Sequence, residues 1–137
     1  MPVVIDTNIA LDLLVFDDPG HAALAAALDA GELQWVVTAA MRDELARVLG
    51  YPLIAAHLKT RGREAGEVLA AFDARTRKVD DVPARAPCAC RDPDDQIFID
   101  LAVAQRARLL SKDRAVLSMR KRLAPWGVEV SREWSIS

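Results

Sequence analysis

The sequence predicts an α/β fold with a mostly parallel sheet of about four to five strands. Val3-Val4-Ile5 runs into Asp6, Trp35-Val36-Val37 into Thr38, and Leu109-Leu110 into Ser111. Each is a short apolar run that stops at a polar tip, the pattern of a strand buried on both faces. Each is followed by apolar residues at helical spacing. Strands that alternate with helices need crossovers, and these are right-handed and lay the strands parallel, with helices on both faces of the sheet.

The elements follow in order. After Val3-Val4-Ile5, the residues Ile9, Leu13, Leu14 and Phe16 lie near helical spacing until Asp17-Asp18-Pro19-Gly20 breaks the run. An alanine-rich helix spans His21 to Ala30, and Gly31 closes it. Gln34 to Thr38 forms the second strand, and Leu45, Val48 and Leu49 mark the buried face of a helix from Met41 to Leu49, stopped by Gly50-Tyr51-Pro52. Leu53 to Phe72 reads as one or two helices broken near Gly62, whose arginines and lysine suggest an exposed arm, and Val79 to Val82 as a short edge strand. Asp80 to Pro93, rich in proline, is a loop. It leads to the best defined helix, which starts near Asp94 and keeps Ile97, Phe98, Leu101, Ala102 and Ala104 on its buried face to about Ala107. Leu109-Leu110-Ser111, a short helix over Ala115 to Leu123, and a strand at Val128-Glu129-Val130 complete the series.

A chain of 137 residues fits one domain, 1–137, since typical domains run to about 100–150 residues. With 52% hydrophobic and 28% charged residues it has the composition of a globular protein. The start has no basic segment, carries Asp6, and is not followed by about 18 apolar residues, so neither a secretory signal nor a membrane span is expected; the protein is expected to be cytoplasmic. Cys88 and Cys90 stand too close for an easy disulfide and lack histidine neighbours for zinc, so they are read as reduced loop thiols. A net charge of −2 gives no global pull on nucleic acid. Local basic runs at Lys59–Arg63, Arg75–Lys78 and Arg120–Arg122 would have to supply phosphate contacts, although such runs more often mark a solvated face.

Acids recur where the strands end. Asp6 follows the first strand, Glu44 sits in the helix after the second, Asp95 opens the long helix, and Asp113 follows the Leu109-Ser111 strand. In parallel α/β sheets, functional groups gather outside the carboxyl ends of the strands. Carboxylates crowded there repel one another unless a cation offsets them, and an all-oxygen set selects hard ions such as Mg²⁺ or Mn²⁺. Asn8, Thr38 and Ser111 stand nearby as polar groups suited to orienting a carboxylate. Singly, each acid has an ordinary explanation, because aspartate favours helix starts and turns. Asp100 lies about 140° around the helix from Asp95 and is expected to face elsewhere.

These segments together resemble the PIN-domain ribonucleases, in particular the compact bacterial toxins of the VapC type from toxin–antitoxin pairs. The resemblance rests on Val3-Val4-Ile5-Asp6-Thr7-Asn8, on Thr38 with Glu44, on Arg91-Asp92-Pro93-Asp94-Asp95 leading into Ile97-Phe98-Ile99, and on Leu110-Ser111-Lys112-Asp113. It implies a three-layer α/β/α fold and a metal-dependent endoribonuclease acting on RNA. It also implies that Asp6, Glu44, Asp95 and Asp113 bind Mg²⁺ or Mn²⁺, with Asn8, Ser111 and Thr38 in support; Asp92 and Asp94 crowd the same turn as Asp95, which the family's register favours, and stay open as further contributors. A homodimer and a cognate antitoxin are implied as partners. Phe98-Ile99-Asp100-Leu101 replaces the Ile-Ala-Ala segment of the most familiar toxins, which marks a divergent branch.

Two rival readings have their own signatures. An aspartyl-phosphate phosphatase would carry a second aspartate two residues after the first, but position 8 is Asn, which cannot exchange a proton in that role. A non-catalytic PIN-like module binding RNA or protein would tolerate loss of the acids, yet all remain. Trp35, Trp126 and Trp134 read as packing residues, and His21 and His57 as surface or partly buried residues without a nucleophile beside them.

Overall fold

A computed structural model describes residues 1–134 and places five parallel strands in the order β3-β2-β1-β4-β5. The strands are β1 (Pro2–Ile5), β2 (Gln34–Val37), β3 (Thr76–Lys78), β4 (Arg108–Leu110) and β5 (Val130–Ser131). The chain builds outward from β1 through β2 to β3, then returns to the other side of β1 for β4 and β5. Register pairs Val3 with Trp35 on one side and Val3, Val4 and Ile5 with Arg108, Leu109 and Leu110 on the other. Val3, Val4, Val36, Leu109 and Leu110 are fully buried, which is why these strands read as unbroken apolar runs.

Helices flank the sheet in the three-layer α/β/α arrangement. They are α1 (Thr7–Leu14), α2 (Ala22–Asp29), α3 (Ala39–Leu49), α4 (Pro52–Thr60), α5 (Ala65–Arg75), α6 (Gln96–Gln105), α7 (Arg114–Leu117) and α8 (Arg120–Leu123). α1, α3 and α5 pack together, α6 lies against β1 and β4, and α7 and α8 lie against β5. One hydrophobic cluster joins the layers, with Ile9, Leu45, Leu49, Phe98, Ile99 and Leu101 meeting the buried strand residues. Trp35 sits in that cluster, edge-on to Phe72 with ring centroids 5.3 Å apart.

Several expectations need correction. The edge strand is Thr76–Lys78, and Val79–Val82 belongs to the loop: Arg75-Thr76-Arg77-Lys78 looks like a solvated charge run, yet an edge strand with one neighbour tolerates charged residues. The last strand is Val130–Ser131, two residues past its expected start, because Gly127, at φ 79°, still belongs to the turn that precedes it. The segment broken at Gly62, at φ 65°, is two helices, as its breaker suggested, but they are anchored through Leu58, Val68 and Phe72 and do not project as an arm. Its cations are partly committed to structure, since Arg63 donates to the carbonyl of Leu14 at 2.9 Å, at the end of α1. In the last basic run, Arg120 donates to the carbonyl of Val130 at 3.1 Å. His21 is buried, not at the surface, while Ala104 is exposed and α6 ends at Gln105, so the buried face of that helix stops at Ala102. Trp126 is half-exposed, whereas Trp134 packs partly against the core.

Candidate metal centre at the carboxyl edge of the sheet

The carboxyl ends of β1 and β4 are neighbours at the point where the chain reverses its direction of sheet building, the position at which open α/β sheets form a crevice. Asp6 leaves β1 there with its amide donating to the carbonyl of Leu110 at 2.9 Å, so the strand pairing itself sets its place. Its carboxylate is buried and accepts a 2.5 Å hydrogen bond from the hydroxyl of Ser111, which is wholly inaccessible. The Ser111 hydroxyl oxygen in turn accepts from the amide of Asp113 at 3.0 Å, and Asp113 caps α7 by accepting from the amide of Ala115 at 2.8 Å. Asn8 accepts from the amide of Lys112 at 3.4 Å. The tip between β4 and α7 is thus tied residue by residue to the start of α1.

Glu44 enters from α3. Thr38 caps that helix by accepting from the amide of Met41 at 3.4 Å, and the hydroxyl of Thr7 donates to the carboxylate of Glu44. Thr38 makes no hydrogen bond to the acids among the described residues; its cap fixes the start of the helix that carries Glu44. Asp95 stands at the start of α6, reached through a single 3₁₀ turn over Pro93–Asp95 in which Asp92 accepts from the amide of Asp94 at 3.0 Å. Cys90 and Gln96 hold this loop down: the amide of Cys90 donates to Oε1 of Gln96 at 2.6 Å, and Nε2 of Gln96 donates to the carbonyl of Cys88 at 3.1 Å and to Asp100 at 2.9 Å. Both thiols are free, and burial pushes that of Cys90 up, so it stays a thiol.

The acids meet. Burial raises the Asp6 carboxyl to about 6 against the opposing bond from Ser111, with the charges of Glu44 and Asp113 adding to the rise. Asp95 is raised to about 7, first by burial and then by the charges of Asp6 and Asp113. Oxygens of Asp92, Asp95 and Asp113 all lie within 4.8 Å of one another. With these acids ionised, Oδ2 of Asp95 is buried with no hydrogen-bond donor. A buried carboxylate oxygen without a partner is costly, and a hard divalent cation satisfies it. The donor set therefore fits Mg²⁺ or Mn²⁺.

Of the four acids singled out in the sequence, Asp95 and Asp113 have oxygens within 4.8 Å of one another and both feel the charge of Asp6, whereas Glu44 reaches the group only through its charge on Asp6. Sequence reading left Asp92 open and missed Thr7. The signal for Asp92 was present, in an Arg-Asp-Pro-Asp-Asp turn that allows one aspartate to fold back beside another. Asp100 points elsewhere, accepting from the amide of Ala86 at 2.8 Å. Asp94 is exposed.

An acid cluster at the reversal point of a parallel sheet defines an α/β protein with a candidate carboxylate centre. Residues 2–115 match the family model for the PIN domain, and the chain belongs to that family, whose members are generally nucleases. Among solved structures, the chain is similar to a chain in the crystal structure of VapBC2 from Rickettsia felis bound to a DNA fragment from their promoter. That match has a TM-score of 0.64 and 15% identity over 98% of this chain and 100% of the other. At such identity the likeness is one of fold. No curated protein matches the chain. No helix among the described residues is long and apolar enough to cross a membrane.

Proposed function

We propose that the protein is a metal-dependent endoribonuclease that hydrolyses RNA phosphodiester bonds, the toxin of a VapC-type toxin–antitoxin pair. The carrying observation is geometric: buried Asp95 has an oxygen within 4.8 Å of oxygens of both Asp92 and Asp113, with buried Asp6 beside them, and the repulsion of these acids once ionised is costly in a bare scaffold and offset by a cation.

Asp6, Asp95 and Asp113 would hold Mg²⁺ or Mn²⁺, with Asp92 at the rim and Glu44 flanking Asp6 across Thr7. When bound, a divalent ion offsets charge on the scissile phosphate and makes a water nucleophilic near neutral pH. The protein's own groups do the rest. Ser111 and the amide network of the β4–α7 tip orient Asp6 and Asp113 before substrate arrives. Asn8 supports the tip at Lys112. Glu44, restrained by Thr7, is placed to accept a proton or to orient the attacking water. A cognate antitoxin, a homodimer and a cytoplasmic location accompany this reading, supported by family membership and by the VapBC2 likeness in fold.

The test is cleavage of a mixed RNA by purified protein in Mn²⁺ and in chelator. Asp6→Asn and Asp95→Asn should each reduce metal-dependent cleavage by about 100-fold or more while the fold is kept. Undiminished cleavage by both variants overturns the site. Absence of cleavage by the wild type, with Mn²⁺ binding no tighter than that of Asp6→Asn, would favour a non-catalytic module.

A further inference from the structure

Among the buried residues of α1, Asp12 alone carries a charge; Ile9, Ala10, Leu11, Leu13 and Leu14 around it are apolar. A carboxylate in such a place is costly to desolvate, and an apolar side chain of similar size is often no less stable there, so stability alone does not account for it. Two groups from other segments meet its Oδ2: the ammonium of Lys112 at 2.6 Å and Nε2 of His21 at 3.1 Å. The chemistry proposed above uses none of these three side chains.

Lys112 stands between Ser111 and Asp113, so its Cα is about 3.8 Å from that of a proposed metal ligand. Its ammonium is a compact charge on a flexible stem. Left free, it would turn toward the carboxylates beside it, where the charges that act on Asp6 and Asp95 are those of other acids and Oδ2 of Asp95 has no donor. An ammonium there would fill the place of the ion. Arg91 and Arg114 also adjoin acids of the centre in sequence, but a guanidinium is a wide planar fork and a poorer stand-in for one compact ion. The lysine side chain is 42% exposed and keeps its freedom to move, whereas that of Asp12 is 8% exposed and is fixed by His21. The β4–α7 tip does not need this contact for its shape, because Asn8 and Ser111 already hold its amides.

We propose that Asp12 is a positioning residue for the metal centre: it holds the ammonium of Lys112 on α1, away from Asp95 and Asp113, and so keeps their pocket open to a divalent ion. The inference rests on the metal-centre reading. It assigns a buried acid outside the centre the task of removing the centre's nearest competitor in the chain.

The test is a Mn²⁺ titration at fixed pH and low salt, followed by the paramagnetic resonance signal of the free ion, on proteins shown to be folded by circular dichroism. Wild type should bind Mn²⁺ at a site that Asp95→Asn loses, which locates the ion. Asp12→Asn keeps the size of the side chain and an acceptor for His21 but not the charge. It should weaken binding by about 5-fold or more, the scale of one unit charge set free a few ångströms from the ion. Adding Lys112→Gln to Asp12→Asn should return the affinity to within about 2-fold of wild type, because no ammonium is left to compete. Lys112→Gln alone should bind at least as tightly as wild type. Unchanged binding by Asp12→Asn overturns the inference. So does weaker binding by Lys112→Gln or by the double variant, since the contact would then act by holding the tip; Lys112→Gln, at an exposed side chain, decides this even where Asp12→Asn does not fold. A wild type without a Mn²⁺ site overturns the metal centre as well, whereas a site lost in Asp95→Asn but indifferent to Asp12 overturns the inference alone.

Discussion

The ammonium of Lys112 lies 2.6 Å from Oδ2 of Asp12, and Nε2 of His21 lies 3.1 Å from the same oxygen. Asp12 and His21 are both buried, so an acid inside α1 is held by one cation from the β4–α7 tip and one ring from the turn before α2. The neighbours of Lys112 are Ser111 and Asp113, both part of the candidate centre. The pair is therefore a strap between the body of α1 and the tip that aims Asp113. Asp12→Ala should lower stability by about 2–3 kcal/mol, the range for a hydrogen bond to a charged group with one partner left stranded. Urea denaturation checks this. A loss below about 0.5 kcal/mol would mean that solvent around the half-exposed lysine screens the pair.

The raised carboxyls set a pH dependence. Asp6 near 6 and Asp95 near 7 hold protons in the folded chain at pH values where the unfolded chain has released them. The native state then binds more protons between about pH 4 and 7, and the metal-free protein loses stability as pH rises through that window. Melting in chelator across this range should show the fall. Asp6→Asn should flatten the curve and, near pH 8, stabilise the protein by about 1 kcal/mol, part of the free energy that a shift of this size represents. A curve that keeps its slope in this variant would place the titration elsewhere.

A divalent ion should reverse that trend. Mn²⁺ at about 100 times its dissociation constant adds about 2.7 kcal/mol to a protein that binds it only when folded. Wild type should show a rise in melting temperature with Mn²⁺, increasing with pH as Asp6 and Asp95 ionise. Asp95→Asn and Asp113→Asn should lose most of it. An equal rise in both variants would show binding outside the proposed centre.

Ser111 joins the two strands' acids through one oxygen. Ser111→Ala removes the bond that lowers the Asp6 carboxyl and leaves the amide of Asp113 without its acceptor. Stability should fall by about 1–3 kcal/mol, and the acid limb of the activity profile should move to higher pH. Titration of cleavage rate against pH, on enzyme shown to be folded, reads the second effect. A profile that stays in place would leave Ser111 a packing residue.

Local pattern was enough for part of this protein. Val3-Val4-Ile5, Trp35-Val36-Val37 and Leu109-Leu110 announced buried parallel strands because a strand covered on both faces has no polar side to show. The residues ending them, with Glu44 and Asp95, exposed the candidate centre because polar tips and helix starts fall at one edge of such a sheet. The charged edge strand Thr76–Lys78 stayed hidden: its pairing partner, Val37 and the residues before it, lies far away in sequence, and charge on an edge carries no strand signature.

The chain's residues by themselves determined the fold class, the order of elements and the carboxylates that end them, since these depend on periodicity and side-chain chemistry within a few positions. Only tertiary structure decided that Asp92 joins Asp95 and Asp113, that Thr7 restrains Glu44, and that Asp12 receives Lys112 and His21. Each of those depends on distance between segments remote in the chain, or on burial that makes a charge costly, and neither quantity exists until the sheet has closed around its core.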